Sequence, residues 1–160
     1  MVELIEKKDY RRTSIALIMN DDGKLLMALN PRVNSTDSKN IDKDTYKFPQ
    51  GGIELGEEPI QALYREMDEE LGLNIDSYSE DIQKLNDYIS YWFINTDKAD
   101  YEIKLHPFLI NVGNLDISKL KVDPEEIKEL KWVKPKEVEN QDLGIRHQAY
   151  LSIMRRFKLM

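Results

Sequence analysis

The sequence contains no cysteine. That absence excludes disulfides, thiolate nucleophiles, Cys-ligated zinc and iron–sulfur clusters. It suits a reducing compartment without requiring one. Only two histidines are present, and neither His106 nor His147 has a companion at metal-ligand spacing. His106 is therefore expected to be a strand residue without chemistry. No apolar run approaches the roughly 20 residues that span a bilayer. The first ten residues are charge-rich and carry neither a leader nor an anchor pattern. The expectation is a cytoplasmic protein with no membrane partner, a monomer or small homo-oligomer. Basic residues are outnumbered, 23 Lys and Arg against 30 Asp and Glu, for a net charge of −7. No extended nucleic-acid surface is expected from that balance. A local phosphate site, with a divalent cation offsetting the acids, is compatible with it. The glycines form neither a P-loop nor a dinucleotide fingerprint, since no Gly-Lys-Ser/Thr and no Gly-x-Gly-x-x-Gly occurs.

What is present reads as one domain over residues 1–160, with 41% hydrophobic residues to build its core. Thr13 to Met19 and Lys24 to Leu29 form a β-hairpin around Gly23. Asn30 to Asp44 is polar and reads as a long surface loop. Thr45 to Pro49 is extended, and a glycine-rich turn runs from Gln50 to Pro59. Ile60, Leu63, Tyr64, Met67 and Leu71 then recur at helical spacing, with Pro59 in the first turn and Gly72 as the stop. Strands follow at Asp81–Leu85, Asp87–Ile94 and Tyr101–Val112, the last interrupted or bent near Pro107. Alternation sends about half of these aromatics inward, and Trp92 is assigned to the core. Asp123 to Glu126 reads as a turn or short helix, Leu130–Val133 as a strand and Pro135–Val138 as a brief helix. Ile145–Phe157 closes the chain as a helix. The pattern predicts an α/β protein, a mixed sheet covered by helices.

The chemistry concentrates in Arg65-Glu66-Met67-Asp68-Glu69-Glu70. At 3.6 residues per turn, Glu66 and Glu70 share one helix face, Glu69 lies three residues from Glu66, and Arg65 can pair with Glu69. Like charges at this spacing cost a bare helix a few tenths of a kcal/mol per pair. A hard divalent cation, which prefers carboxylate oxygens, would remove that cost. A solvated acidic face is the bland alternative, and the segment before the helix tips the balance. From Gly51 to Leu73 the chain reads GGIELGEEPIQALYREMDEELGL. Gly51, Glu57, Arg65, Glu66, Met67, Glu69, Glu70, Gly72 and Leu73 all fall at the spacing of one motif. This string resembles the Nudix hydrolase box.

The resemblance implies a Nudix-type α/β/α sandwich with a mixed central sheet and a loop–helix–loop metal site. It implies Mg²⁺, or Mn²⁺, held by Glu66, Glu69, Glu70 and the carbonyl of Gly51, with Glu69 and Glu70 carrying most of the load. Glu57, Arg65 and Gly72 take structural roles in the motif. The implied reaction is hydrolysis of a phosphoanhydride. Members differ in which glutamate serves as base, and Glu126, six residues before Trp132, is a candidate beside the box glutamates. The flanks resemble one branch, the bacterial RNA 5′-pyrophosphohydrolases and dinucleoside-tetraphosphate hydrolases. The matching pieces are Tyr10-Arg11-Arg12, Lys47-Phe48-Pro49-Gln50-Gly51-Gly52-Ile53, and Ile145-Arg146-His147-Gln148-Ala149-Tyr150. They nominate Arg11, Arg12, Lys47, Gln50 and Arg146 for binding a nucleotide or RNA 5′ end. Arginine suits this, because its fork contacts phosphate in pairs.

Departures from the branch, chiefly Arg12 in place of proline and the long 30–44 connection, keep a second substrate open. That rival is a nucleoside triphosphate pyrophosphohydrolase, including one for oxidised nucleotides. Its base pocket would draw on Asn30, Tyr88, Tyr91, Trp92, Phe93, Tyr101 and Asn111. A noncatalytic nucleotide-sensing module is the alternative of another class. Such modules usually lose one of the three glutamates, and all three stand here.

Overall fold

The computed structural model describes residues 10–30, 45–93 and 101–160. The expected 30–44 loop, apart from Asn30, lies outside the described residues, as do Met1 to Asp9 and the side chains of Phe93 and Tyr101. One mixed eight-stranded sheet organises what is described. Strand β1 (Tyr10–Met19) is its centre, β-branched and apolar through Ile15–Ile18. It pairs in parallel with β7 (Tyr101–Asn111) along its whole length, from Tyr10↔Glu102 to Met19↔Asn111. Its other edge is shared. Strand β4 (Gln50–Gly52) runs antiparallel beside Thr13–Ile15, and β2 (Leu25–Asn30) joins only at Met19↔Leu25.

The expected hairpin is thus a turn more than a ladder. Gly23 takes φ +77°, and the Asn20 side chain accepts the N–H groups of Asp22 and Lys24 at 3.0 and 2.9 Å. Beyond it β2 pairs with β3 (Thr45–Lys47) and β8 (Glu129–Val133), which extends the sheet. Strands β5 (Ile82–Lys84) and β6 (Ile89–Phe93) line the far edge of β7. Pro107 does not interrupt β7. Strand β6 pairs as far as Leu105 and β5 begins at Phe108, so the proline falls in the gap between them, where the ladder demands least of its missing N–H.

Alternation along β1 builds two cores. Ile15 and Leu17 face one side, with Tyr150, Ile153 and Met154 of α3 (His147–Arg156) and Val138 of α2 (Pro135–Glu139). Ala16 and Ile18 face the other, with Leu63, Met67 and Leu71 of α1 (Pro59–Leu71). The result is the expected helix–sheet–helix layering. Two 3-10 turns, Ile75–Asp81 and Ile117–Lys119, were not anticipated. Each is opened by an Asn or Asp whose side chain accepts the N–H two residues on, a local bond rather than a periodic signal. Among the described residues, no helix is long and apolar enough to cross a membrane.

Candidate active site

The site grows from the seam between β4 and α1. Helix α1 starts where the sequence requires it, with Pro59 at its first position and the Glu58 N–H bonded to Gln61 Oε1 at 2.8 Å. Ser14 Oγ donates to the Pro59 carbonyl at 2.7 Å, which ties the helix start to the middle of β1. Gly51 lies against the helix. A Cβ on it would stand 2.1 Å from Glu66 Cδ, so only glycine lets the strand carbonyls and this carboxyl share the space. At the other end Gly72 takes φ +63° as the C-cap, and a Cβ there would press on the Lys121 backbone at 3.1 Å. That closeness lets Asp123 N–H reach the Glu70 carbonyl at 3.1 Å and docks the loop carrying Glu126.

Arg65 braces the turn. Its Nε and Nη2 grip both Glu57 oxygens at 2.8 and 2.9 Å. Nη2 also donates to the Gly52 carbonyl at 2.9 Å, and Nη1 reaches Glu66 at 2.9 Å and Glu69 at 3.4 Å. The pairing with Glu69 expected from helical spacing is therefore the loosest of these bonds, and Glu57 is the main partner. Glu57 in turn accepts the Glu54 N–H at 2.8 Å. The arginine fork and that backbone bond hold the Glu57 carboxyl down at about 2.

Below the brace the charges are less evenly matched. Burial, then a hydrogen bond and the negative charge of Glu66, push the Glu70 carboxyl well above the usual carboxylate range. Burial also pushes the Lys47 ammonium down to about 8, with Arg146 and Arg11 adding to the effect and Glu70 and Glu126 opposing it. Asn30, Lys47, Gln50, Glu70 and Glu126 meet around a cavity of about 50 Å³. Asn30 Nδ2 holds the Glu126 carbonyl at 2.7 Å, across 96 residues of sequence. Among the described residues, no three His, Asp or Glu side chains stand ready as a metal cluster. The donor set nevertheless suits a hard divalent cation. It is all oxygen, and Glu66 and Glu70 crowd each other in a way that a cation between them would relieve.

The nominated binding residues divide. Arg11 lies over Gly52, with Nη2 2.6 Å from where a Cβ would be. Arg12, its neighbour, points to the opposite sheet face by alternation, and its backbone carbonyl accepts the Ile53 N–H at 3.0 Å. Arg146 is not a surface group. It is 2% exposed, with its guanidinium 5.5 Å from the Tyr91 ring centre. Gln50 is fixed from both ends, because Tyr150 Oη donates to its Oε1 at 2.6 Å and its Nε2 donates to Tyr91 Oη at 3.3 Å. The sequence assigns Tyr150 no role and names Tyr91 only for a base pocket, not as a partner of Gln50. The two contacts span 100 and 41 residues, and no local spacing signals them. The core placement of Trp92 is overturned. Trp92 is 48% exposed and Tyr91 is buried, so the strand sits one residue out of the expected phase. Tyr88 and Trp92 accordingly do not join Tyr91 in one base pocket.

The layers, the glycine-tight turn and the glutamate face define a Nudix-type site. The family model for the NUDIX domain matches residues 9–154, so the chain belongs to the Nudix hydrolase family. Over 101 residues, 63% of this chain, it is 33% identical to an RNA pyrophosphohydrolase of Ruthia magnifica subsp. Calyptogena magnifica. That stretch covers 48% of the relative, and for two further curated relatives the share is 33% and 36%. The chain thus spans half or less of the curated relatives it matches. Among solved structures it shares its fold with the E. coli dihydroneopterin triphosphate pyrophosphohydrolase, at TM-score 0.68 and 16% identity over 92% of this chain and 97% of that one. A C. elegans Ap4A hydrolase is similar at TM-score 0.62 and 17% identity, over 92% of this chain and 94% of that one.

Proposed function

We propose that this chain, as one domain over residues 1–160, hydrolyses phosphoanhydride bonds with Mg²⁺ or Mn²⁺, acting on RNA 5′-triphosphate ends or on dinucleoside polyphosphates. One observation carries the reading. Glu66 is pressed onto Gly51 and bonded to the half-buried Glu70, so two carboxyls share a space that favours a cation or a proton. Glu66, Glu69, Glu70 and the Gly51 carbonyl would hold the metal. When bound, it would screen the phosphate oxygens, acidify water and stabilise the leaving phosphate. Glu70 or Glu126 takes a proton from the attacking water, whose oxygen bonds to phosphorus as the anhydride P–O bond breaks. Lys47 and Arg11 meet phosphate oxygens, and Gln50 is presented in a fixed orientation.

The choice of substrate rests on Lys47-Phe48-Pro49-Gln50-Gly51-Gly52 and on the resemblance to RNA pyrophosphohydrolases. A product-resolved panel with Mg²⁺ and Mn²⁺ tests it, comparing 5′-triphosphorylated RNA, diadenosine tetraphosphate, GTP, 8-oxo-dGTP and ADP-ribose. Monophosphorylated RNA, or ATP plus AMP, is the expected product. Preference for a mononucleotide, with release of pyrophosphate, would overturn the substrate and leave the chemistry standing.

A further inference from the structure

Helix α1 covers only part of its side of the sheet. It begins at Pro59, over Ser14, and among the described residues the same face continues past it toward the start of β1. The register places Tyr10 and Arg12 of β1, Lys104 and His106 of β7, and Trp92 of β6 on that face. Tyr88, just before β6, reaches the same group. Lys104 Nζ lies 3.9 Å from the Tyr10 ring centre and 4.8 Å from that of Tyr88, and Tyr88 stands 6.2 Å from His106. Three large aromatics are open to solvent here: Tyr10 at 37%, Tyr88 at 45% and Trp92 at 48%.

The local charge runs against that of the whole chain. Burial first, then the nearby Arg12 and Lys104, press the His106 imidazole toward its neutral form, so two cations gather here in a protein of net charge −7. Glu102, paired with Trp92, puts an acid on this face as well. Exposed rings interleaved with cations suit a single strand of nucleic acid, where rings stack on bases and cations follow the phosphates. The position suits it too. Gly51 pairs with Ser14, and Arg12 lies two strand residues further on, roughly 7 Å away.

We propose that this face is a platform for single-stranded RNA, taking the nucleotides that follow the 5′ end held at the carboxylate site. The inference rests on the RNA reading above and deepens it. It is a local aromatic patch, not the extended basic surface that the composition argues against.

The test uses the full chain and an RNA octamer with a 5′-hydroxyl, whose binding is read by fluorescence anisotropy independently of chemistry. The combined Tyr10→Ala and Tyr88→Ala variant should weaken binding about tenfold, as expected for the loss of a stacked base. Lys104→Glu should weaken it similarly and flatten its salt dependence. Octamer should quench the indole emission of wild type, and Trp92→Phe should abolish the quench. All these side chains are solvent-open or partly so, and diadenosine tetraphosphate turnover should be unchanged in each variant, which reports correct folding. Equal octamer affinity in wild type and variants, or no binding by wild type, would overturn the platform. A 5′-triphosphorylated octamer assayed in parallel reads the reaction separately. If it binds through the patch and is not hydrolysed, the RNA reading of the active site fails and the surface stands.

Discussion

The two halves of the site treat charge in opposite ways. Around Arg65 every strong bond is paired: two Glu57 oxygens, the Gly52 carbonyl and Glu66 share one guanidinium. A few ångströms of chain away, Lys47, Glu70 and Glu126 surround a small cavity, with Lys47 and Glu70 both pushed toward their neutral forms. The contrast separates structure from chemistry. Saturated charges fix the shape of the turn, because breaking any one of them strands the others. Charges pressed together without full compensation cost stability and respond to whatever enters, which is what a site for cations and phosphates needs.

The comparison breaks most sharply at its reactive half. Glu70→Gln keeps the shape and removes a charge that the fold itself disfavours. We expect turnover at saturating Mg²⁺ to fall about 100-fold or more, with a thermal midpoint equal to or above that of wild type. Steady-state kinetics and melting curves on the same preparation check this. Retained turnover would move the metal site elsewhere. Gly51→Ala attacks the seam between the halves. Its Cβ would occupy the Glu66 carboxyl position, so we expect a loss of about 1–3 kcal/mol in urea unfolding together with loss of activity.

The brace should answer differently. Arg65→Lys keeps the charge and loses the fork, with an expected drop in turnover of about tenfold. The brace also has a pH signature. The Glu57 carboxyl sits at about 2 in the folded protein against an ordinary value of 4.5. Between those values the unfolded chain binds the extra proton, so the stabilisation is complete above pH 4.5 and is lost as the pH falls toward 2. Melting midpoints across that window should fall less steeply in Glu57→Gln than in wild type. An identical slope would detach Arg65 from the stability of the turn.

How much of this was legible in the sequence depends on the range of the interaction. Helix α1, its Pro59 start and its Gly72 stop were readable because each follows from residues within one turn. The glutamate face was readable for the same reason. The phase of β6 was not, since a one-residue slip inverts every side chain and two neighbouring aromatics, Tyr91 and Trp92, satisfy either register. The burial of Arg146 and the fixing of Gln50 were equally hidden, because Tyr91 and Tyr150 reach them only through the fold. Pro107 misled the strand reading, as the gap between β5 and β6 that accommodates it belongs to the sheet and not to the chain.

The smallest effect sharpens this last point. Tyr150→Phe removes one hydroxyl from a fully buried ring that still packs on Phe48, with centroids 4.8 Å apart. We expect a loss of about 1 kcal/mol and a rise in KM larger than any fall in kcat, since Gln50 would be released rather than removed.

The most direct measurement is a Mn²⁺ titration followed by electron paramagnetic resonance, on wild type and on Glu66→Gln, Glu69→Gln and Glu70→Gln. The account predicts that wild type depletes the free Mn²⁺ signal and that each substitution weakens binding by tenfold or more. Equal depletion by wild type and all three variants would contradict it, and would leave the acidic face of α1 a solvated surface.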